Sequence, residues 1–161
     1  MAAEIREFDR RDLMRMTEIW NEVVEEANAF PQREPLKGGE AESFFAGQSF
    51  TGVAVVDGRI EGLYILHPNN VGRCGHLSNA SYAVSSGARG RGIGRNLVEH
   101  SLETARRLGF RVMQFNAVVK SNAGAIHLYE TLGFVRLGTV PGGFERKDGS
   151  FEDIVLFYHT L

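Results

Sequence analysis

Arg89-Gly90-Arg91-Gly92-Ile93-Gly94-Arg95 is the stretch on which the reading of this chain turns. An alternating apolar run, Leu77 to Val84, stops just before it. A helical pattern, Ile93 to Leu108, opens with it and carries Leu97, Val98, Leu102, Ala105 and Leu108 at inward spacing. A glycine-rich turn that opens a helix leaves several backbone N–H groups unpaired and pointing one way. The helix dipole adds partial positive charge at the same place. Such a terminus binds phosphate groups, and three arginines in the segment strengthen that reading. An anionic cofactor carrying a diphosphate is therefore expected.

Working outward, Gly109 closes the helix in the position helices favour for glycine. Arg111 to Val119 then reads as a strand. Strand, helix and strand make a βαβ crossover, which should be parallel and right-handed. A ligand would sit at the C-terminal ends of its two strands, beside the glycine turn.

The remaining elements follow from periodicity and turn residues. Ile5 to Phe8 is a first strand, and Asp9 can cap a helix over Arg10 to Ala27 with Leu13, Met16, Ile19, Trp20, Val23 and Val24 on one face. Phe30 to Gly39 is a loop, and Glu40 to Ala46 a short helix. Phe50 to Val56 and Ile60 to Leu66 form a hairpin about Asp57-Gly58. His67 to Gly75 is a loop. Asn122 caps a helix over Ala123 to Leu132, stopped by Gly133. Phe134 to Val140 and Asp153 to Thr160 are the last strands, joined by a glycine-rich loop over Pro141 to Ser150. Seven strands in a mainly antiparallel set, interrupted by helices, define an α+β (mixed α/β) class and a single domain over residues 1–161.

Composition sets limits. The chain has 161 residues, enough for one domain with a proper core. Its net charge of −2 gives no general basic footprint for nucleic acid. Cys74 is the single cysteine, so no intrachain disulfide forms and a reducing compartment fits. The first ten residues lack an apolar signal region, and no apolar run reaches the length of a membrane span. A cytoplasmic protein without membrane contact is expected. No His, Cys or Asp cluster has metal-ligand spacing, so no metal is expected.

Three readings of the glycine turn fail or stay bland. A P-loop needs lysine and a hydroxyl after its last glycine, and Ile93 and Gly94 stand there. The dinucleotide fingerprint needs a third glycine where Arg95 stands. A turn using glycine for shape alone is the structural alternative. The pattern that survives is Arg-x-x-Gly-x-Gly/Ala, met by Arg89, Gly92 and Gly94. It resembles the acyl-CoA signature of the GCN5-related N-acetyltransferase (GNAT) superfamily. The segment Asn122-Ala-Gly-Ala-Ile-His-Leu-Tyr129-Glu-Thr-Leu-Gly-Phe134 resembles that superfamily's second motif, Asn-x-x-Ala-x-x-x-Tyr-x-x-x-Gly-Phe.

The resemblance implies a sheet whose fourth and fifth strands splay apart, with acetyl-CoA as acetyl donor lying in the gap. It implies that the backbone of Tyr82, Ala83 and Val84 pairs with the pantetheine arm. Arg89, Gly90, Arg91, Gly92, Ile93, Gly94 and Arg95 would hold the pyrophosphate. Asn122 would bond the pantetheine side, and Tyr129 would protonate the leaving thiolate as the catalytic acid. A phenol's pKa, about 10, makes proton donation to a thiolate feasible. Asn122 and Tyr129 lie two turns apart on one helix face. The structural alternatives are a simple cap for Asn122 and a core tyrosine for Tyr129.

The sequence departs from that superfamily at the base. Many members carry a glutamate on the fourth or fifth strand. Here those strands read Leu-Ser-Asn-Ala-Ser-Tyr-Ala-Val and Arg-Val-Met-Gln-Phe-Asn-Ala-Val-Val, without a carboxylate, and Ala117 takes the usual base position. Asn79 and Asn116 are the polar groups that alternation turns toward the gap. An amide accepts no proton at neutral pH, so the amine should arrive deprotonated or lose its proton to water. His76 and His127 are further candidates with ordinary structural readings.

The stretch Arg73 to Val84, with Phe115-Asn116 and Leu137 to Pro141, resembles the subgroup of acetyltransferases for azetidine-2-carboxylate and related proline analogues. That likeness implies that Asn79 and Asn116 bind a small imino acid. Substrate walls are expected from the Phe30–Gly39 and Pro141–Ser150 loops, with Phe30, Phe44, Phe45 and Phe144 as pocket or core residues. Arg33 and Arg146 are carboxylate binders or solvated cations. The function expected is direct acetyl transfer from acetyl-CoA to a small-molecule amine, amino or imino acid-like, in a ternary complex. The alternatives are a protein or peptide acceptor, or a non-catalytic acyl-CoA-binding module. By analogy, two copies would pair through the last strands as a homodimer.

Overall fold

The computed structural model describes residues 3–161. One sheet of seven strands runs in the order β1-β2-β3-β4-β5-β7-β6. The strands are β1 (Glu4–Glu7), β2 (Phe50–Val56), β3 (Arg59–Pro68), β4 (Leu77–Val84), β5 (Val112–Val119), β6 (Val135–Glu145) and β7 (Phe151–Thr160). The helices are α1 (Leu13–Glu26), α2 (Glu40–Ala46), α3 (Ile93–Arg107) and α4 (Ala123–Thr131). Every strand pair is antiparallel except β4 with β5, as the crossover over α3 requires.

Strand alternation sorts the core into two layers. Val53, Leu63 and Ile65 face α1 and α2, packing against Trp20, Ile19, Met16 and Phe45. Ala54, Tyr64 and Leu66, their neighbours in sequence, face the other way against Leu97, Val98 and Ala105 of α3. Leu108, expected on the inward face, lies past the end of α3 and is 48% exposed.

The entry to α1 differs in detail from the expectation. A 3-10 turn over Arg10–Asp12 precedes the helix. Asp9 accepts from Arg11 N (3.0 Å), and Asp12 Oδ2 reaches back to Asp9 N (2.7 Å). This reciprocal pair satisfies backbone donors at the start of the segment.

The Pro141–Ser150 loop is the larger correction. Its first half is strand: Phe144 pairs with Glu152 and Glu145 with Phe151, leaving a tight turn closed by Arg146 N to Ser150 O (2.7 Å). The register shifts between Val140 and Phe144, which absorbs Pro141 and the two glycines as a bulge. β6 is the edge of the sheet, where a residue without an N–H is tolerated. Gly143 is required there, because a Cβ would run into the Ile154 side chain.

β3 also runs further than expected. It includes His67 and Pro68, paired with Asn79 and Ser78 of β4. Proline at the last position of a strand breaks little of the ladder.

Candidate active site

The pairing of β4 with β5 is confined to Leu77 with Val112 and Ser78 with Met113. Beyond that point the two strands part. β4 continues to pair with β3 as far as Val84, so its other edge runs on without a strand. A cleft of about 580 Å³ fills the gap. It is lined from β4 by Asn79 to Tyr82 and from β5 by Phe115 to Val119. From α4 and its cap it receives Asn122, Ala125, Leu128 and Tyr129.

The glycine turn lies at the end of the same strand. Gly90 and Gly92 both take positive φ, +79° and +80°, a region that glycine enters without strain. Gly92 is the N-cap of α3 and supplies no side-chain cap. The backbone bond at this end runs from Asn96 N to Gly92 O (3.1 Å). The N–H groups of Ile93, Gly94 and Arg95 precede that bond and lack an intrahelical acceptor. These amides, the helix dipole and the open backbone fit a diphosphate.

The arginines divide their work. Arg89 turns back to form a two-pronged ion pair with Glu26 at the end of α1, with Nη1 to Oε2 at 2.8 Å, and its Nε donates to Val84 O (3.3 Å). That pairing holds the Glu26 carboxyl below its usual range. Arg95 pairs with Glu99 at 2.8 Å. Arg91 is exposed and has no ion-pair partner among the described residues. Anion binding in this turn therefore rests first on backbone amides. A second pocket beside the cleft joins Val84, Arg89 and Glu26 to Ser121 and Asn122, which continues the groove from the turn toward α4.

Tyr129 stands within an aromatic cluster. Its ring centroid lies 4.6 Å from Phe115, 5.5 Å from Phe134, 6.0 Å from Phe157 and 6.4 Å from Tyr82. Burial pushes both phenols, Tyr129 and Tyr82, well above the ordinary value. The two differ in their partners. Tyr82 bonds Ser101 Oγ at 2.7 Å, whereas the Tyr129 hydroxyl takes no protein partner among the described residues. Tyr129 is thus kept protonated on the wall of the cleft. Asn122 both caps α4, accepting from Ala125 N at 3.3 Å, and lines the cleft.

Asn79 and Asn116 meet across the gap through a residue that sequence reasoning left in a loop, Asn69. Asn69 Oδ1 accepts from Asn79 Nδ2 (3.1 Å) and from Asn116 Nδ2 (2.6 Å). Asn69 Nδ2 and Gln114 Nε2 both donate to Asn116 Oδ1, at 3.2 and 3.1 Å. Asn79 Oδ1 is taken by Ala80 N. A primary amide has two N–H donors. Asn79 and Asn116 each keep one after these bonds; Asn116 Oδ1 already accepts two bonds and Asn79 Oδ1 accepts one. The pair therefore offers donors to a ligand and recognises an acceptor such as a carboxylate. Asn116 reaches this place through a bulge in β5, where pairing with β7 skips from Phe115 to Val118.

The cleft's apolar wall comes from Phe30 and Phe44. Phe45 belongs to the core, and Phe144 does not line the cleft, being held in the β6–β7 ladder. Arg33 and Arg146 are matched within the chain, to Glu145 and Glu152, each at 2.9 Å. His76 and His127 are exposed and outside the cleft lining. No carboxylate lines it among the described residues, and none of these offers a group of three or more His, Cys, Asp or Glu able to hold a metal ion. No described helix is long and apolar enough to cross a membrane.

A splayed parallel pair, a phosphate-binding turn after the fourth strand and a tyrosine opposite the gap define an acetyltransferase of the GNAT type. Residues 13–134 match the acetyltransferase (GNAT) family, and the chain belongs to that family. That family is one of acetyltransferases. The chain is 37% identical over 100 residues to N-acetyltransferase aca1 of Schizosaccharomyces pombe, a match covering 61% of this chain and 48% of that protein. This chain thus spans about half that relative's length. A GCN5-related N-acetyltransferase structure from Kribbella flavida superposes with a TM-score of 0.91 at 33% identity, covering 99% of this chain and 98% of the other. A phosphinothricin acetyltransferase from Sinorhizobium meliloti in complex with acetyl-CoA superposes with a TM-score of 0.89 at 27% identity, covering 100% and 89%.

Proposed function

We propose that this chain transfers the acetyl group of acetyl-CoA to the amine of a small amino or imino acid, by direct attack in a ternary complex. The observation that carries this is the amide pair Asn79 and Asn116, both lining the cleft and each keeping an N–H donor. An amine that also bears a carboxylate would be anchored there. The likeness to a phosphinothricin acetyltransferase supports the same class of acceptor, since phosphinothricin is itself an amino acid.

The roles follow from position. Amides of Gly90 through Arg95, with Arg89 and Arg91 nearby, hold the diphosphate. The free edge of Tyr82, Ala83 and Val84 pairs with the pantetheine amides, and Asn122 bonds its far side. Backbone N–H donors in the splay polarise the thioester carbonyl. Tyr129 gives its phenolic proton to the departing sulfur. The domain is read as one unit over residues 1–161, in the cytoplasm, where the single exposed thiol of Cys74 stays reduced. Two copies are expected to meet along β6, an edge strand that leaves Val135, Leu137 and Val140 about half exposed.

The test is thiol release from acetyl-CoA with azetidine-2-carboxylate, phosphinothricin and matched amines without a carboxylate. The reading expects turnover with the amino acids and little with the others. Turnover confined to a peptide N-terminus or lysine would replace it with a protein acceptor. Tight CoA binding without turnover would make the chain a binding module.

A further inference from the structure

The family's usual carboxylate base is missing from both splayed strands, yet the cleft is not without a base. His67 lines it. Apart from the Tyr82 and Tyr129 phenols, it is the one ionisable side chain that does, among the described residues. We propose that His67 is the general base that deprotonates the acceptor amine, a step that rests on the small-amine reading above.

Three observations place it. His67 stands directly opposite Asn79 in the antiparallel β3–β4 ladder. Side chains directly opposite in such a ladder share a face and lie side by side. The imidazole therefore neighbours the amide that would anchor the acceptor's carboxylate. Second, its tautomer is set by the backbone. His67 Nδ1 lies 3.0 Å from Pro68 O. A carbonyl oxygen only accepts, so Nδ1 carries the hydrogen and Nε2 keeps the lone pair. Third, the surroundings are neutral. Asn79 and Ser81 face the cleft from β4, and Asn116 and Ala117 from β5. Phe30, Gln32, Phe44 and Gln48 face it from α2 and the loops on either side of it, and Tyr129 from α4. No charged side chain among the described residues stands in the cleft to compete for the amine's proton.

The step balances. The acceptor's ammonium gives one proton to His67 Nε2. The freed lone pair forms the C–N bond to the acetyl carbonyl carbon, the C–S bond breaks, and the sulfur takes the Tyr129 proton. The nitrogen's second proton restores the Tyr129 phenol, and His67 releases its own to solvent. One proton leaves per turnover.

The experiment is the pH dependence of kcat/KM for wild type, His67→Gln and His67→Ala, with acetyl-CoA and azetidine-2-carboxylate or phosphinothricin. CoA affinity is measured alongside by calorimetry. Wild-type kcat/KM should fall on acidification, as a general base takes up a proton. His67→Gln should lose that dependence and fall about 10²- to 10⁴-fold at neutral pH. Its rate should recover as the pH nears the amine's own pKa, with CoA affinity kept. Added imidazole should restore part of the activity of His67→Ala, a rescue that a merely structural role would not give. An unchanged profile in His67→Gln, or a loss in His67→Ala that imidazole leaves untouched, overturns the assignment. Absence of wild-type turnover with either amino acid is a separate result: it removes the small-amine reading, and the base with it.

Discussion

Asn69 and Asn116 exchange two amide hydrogen bonds across the mouth of the splay, 2.6 Å from Asn116 Nδ2 to Asn69 Oδ1 and 3.2 Å in return. A reciprocal amide pair fixes both side chains in one orientation. It also ties the loop after β3 to the bulge in β5, so Asn116 is held in place before any ligand arrives.

Asn69 should therefore behave as a positioning residue. Asn69→Ala is expected to raise the KM for an amino-acid acceptor about tenfold, the scale of one or two lost hydrogen bonds. Acetyl-CoA affinity should stay as in wild type. Asn69→Asp should be worse, because it can no longer donate to Asn116 and adds a negative charge near the acceptor's carboxylate. Steady-state kinetics with varied acceptor check this. Equal effects on amines with and without a carboxylate would argue against an anchoring role.

Tyr129→Phe removes the proton donor and leaves the aromatic cluster around Phe115, Phe134 and Phe157 in place. Turnover should fall about 10²-fold or more, with CoA affinity little changed. Because burial raises the Tyr129 phenol, its protonated form persists through the working range, and it should add no alkaline loss of activity of its own below about pH 10. Rates across that range, set beside calorimetric CoA titrations, measure both effects.

Gly92 caps α3 at φ +80°. Gly92→Val would force a β-branched residue into that region, at a strain of about 1–3 kcal/mol, and would put a side chain where a phosphate must approach. CoA binding should be lost or weakened at least about tenfold, while the melting temperature shifts by a few degrees. Wild-type affinity in this variant would mean the diphosphate does not use the turn.

Asp12 tests the frame that supports the site. Its carboxylate accepts from Arg6 at 2.7 and 3.1 Å and from Asp9 N at 2.7 Å. The hydrogen bond from Arg6 is the main reason its pKa lies below the usual carboxylate range. A depressed native pKa means the carboxylate's contribution is full above the unfolded-state pKa and fades as pH falls through the native one. Asp12→Asn should cost about 2 kcal/mol at neutral pH. The gap between variant and wild type should narrow on acidification, as read from urea midpoints at several pH values.

Much of the fold was legible because its signals are local. Alternation gave all seven strands, helical spacing gave the buried faces of α1 and α3, and Asn122 and Gly109 marked helix ends. The errors arose where tertiary contacts override composition. Pro141, Gly142 and Gly143 read as a loop, yet an edge position and close packing on Ile154 make them part of β6. Within the site, Tyr129, Asn122, Asn79 and Asn116 were visible on motif and alternation, and all four line the cleft. Asn69 and His67 were not. Both lie in the stretch that Pro68, Asn69, Asn70, Gly72 and Gly75 mark as loop. Their significance depends on partners far along the chain, Asn116 above all. Arg89 was read as a phosphate ligand, and nothing in its neighbourhood in sequence announces the ion pair with Glu26.

The most direct test of the account is a crystal structure of the protein with CoA. The diphosphate should lie on the backbone amides between Gly90 and Arg95, with the sulfur within about 3.5 Å of the Tyr129 hydroxyl. A diphosphate bound away from that turn, or a sulfur out of reach of Tyr129, would contradict it.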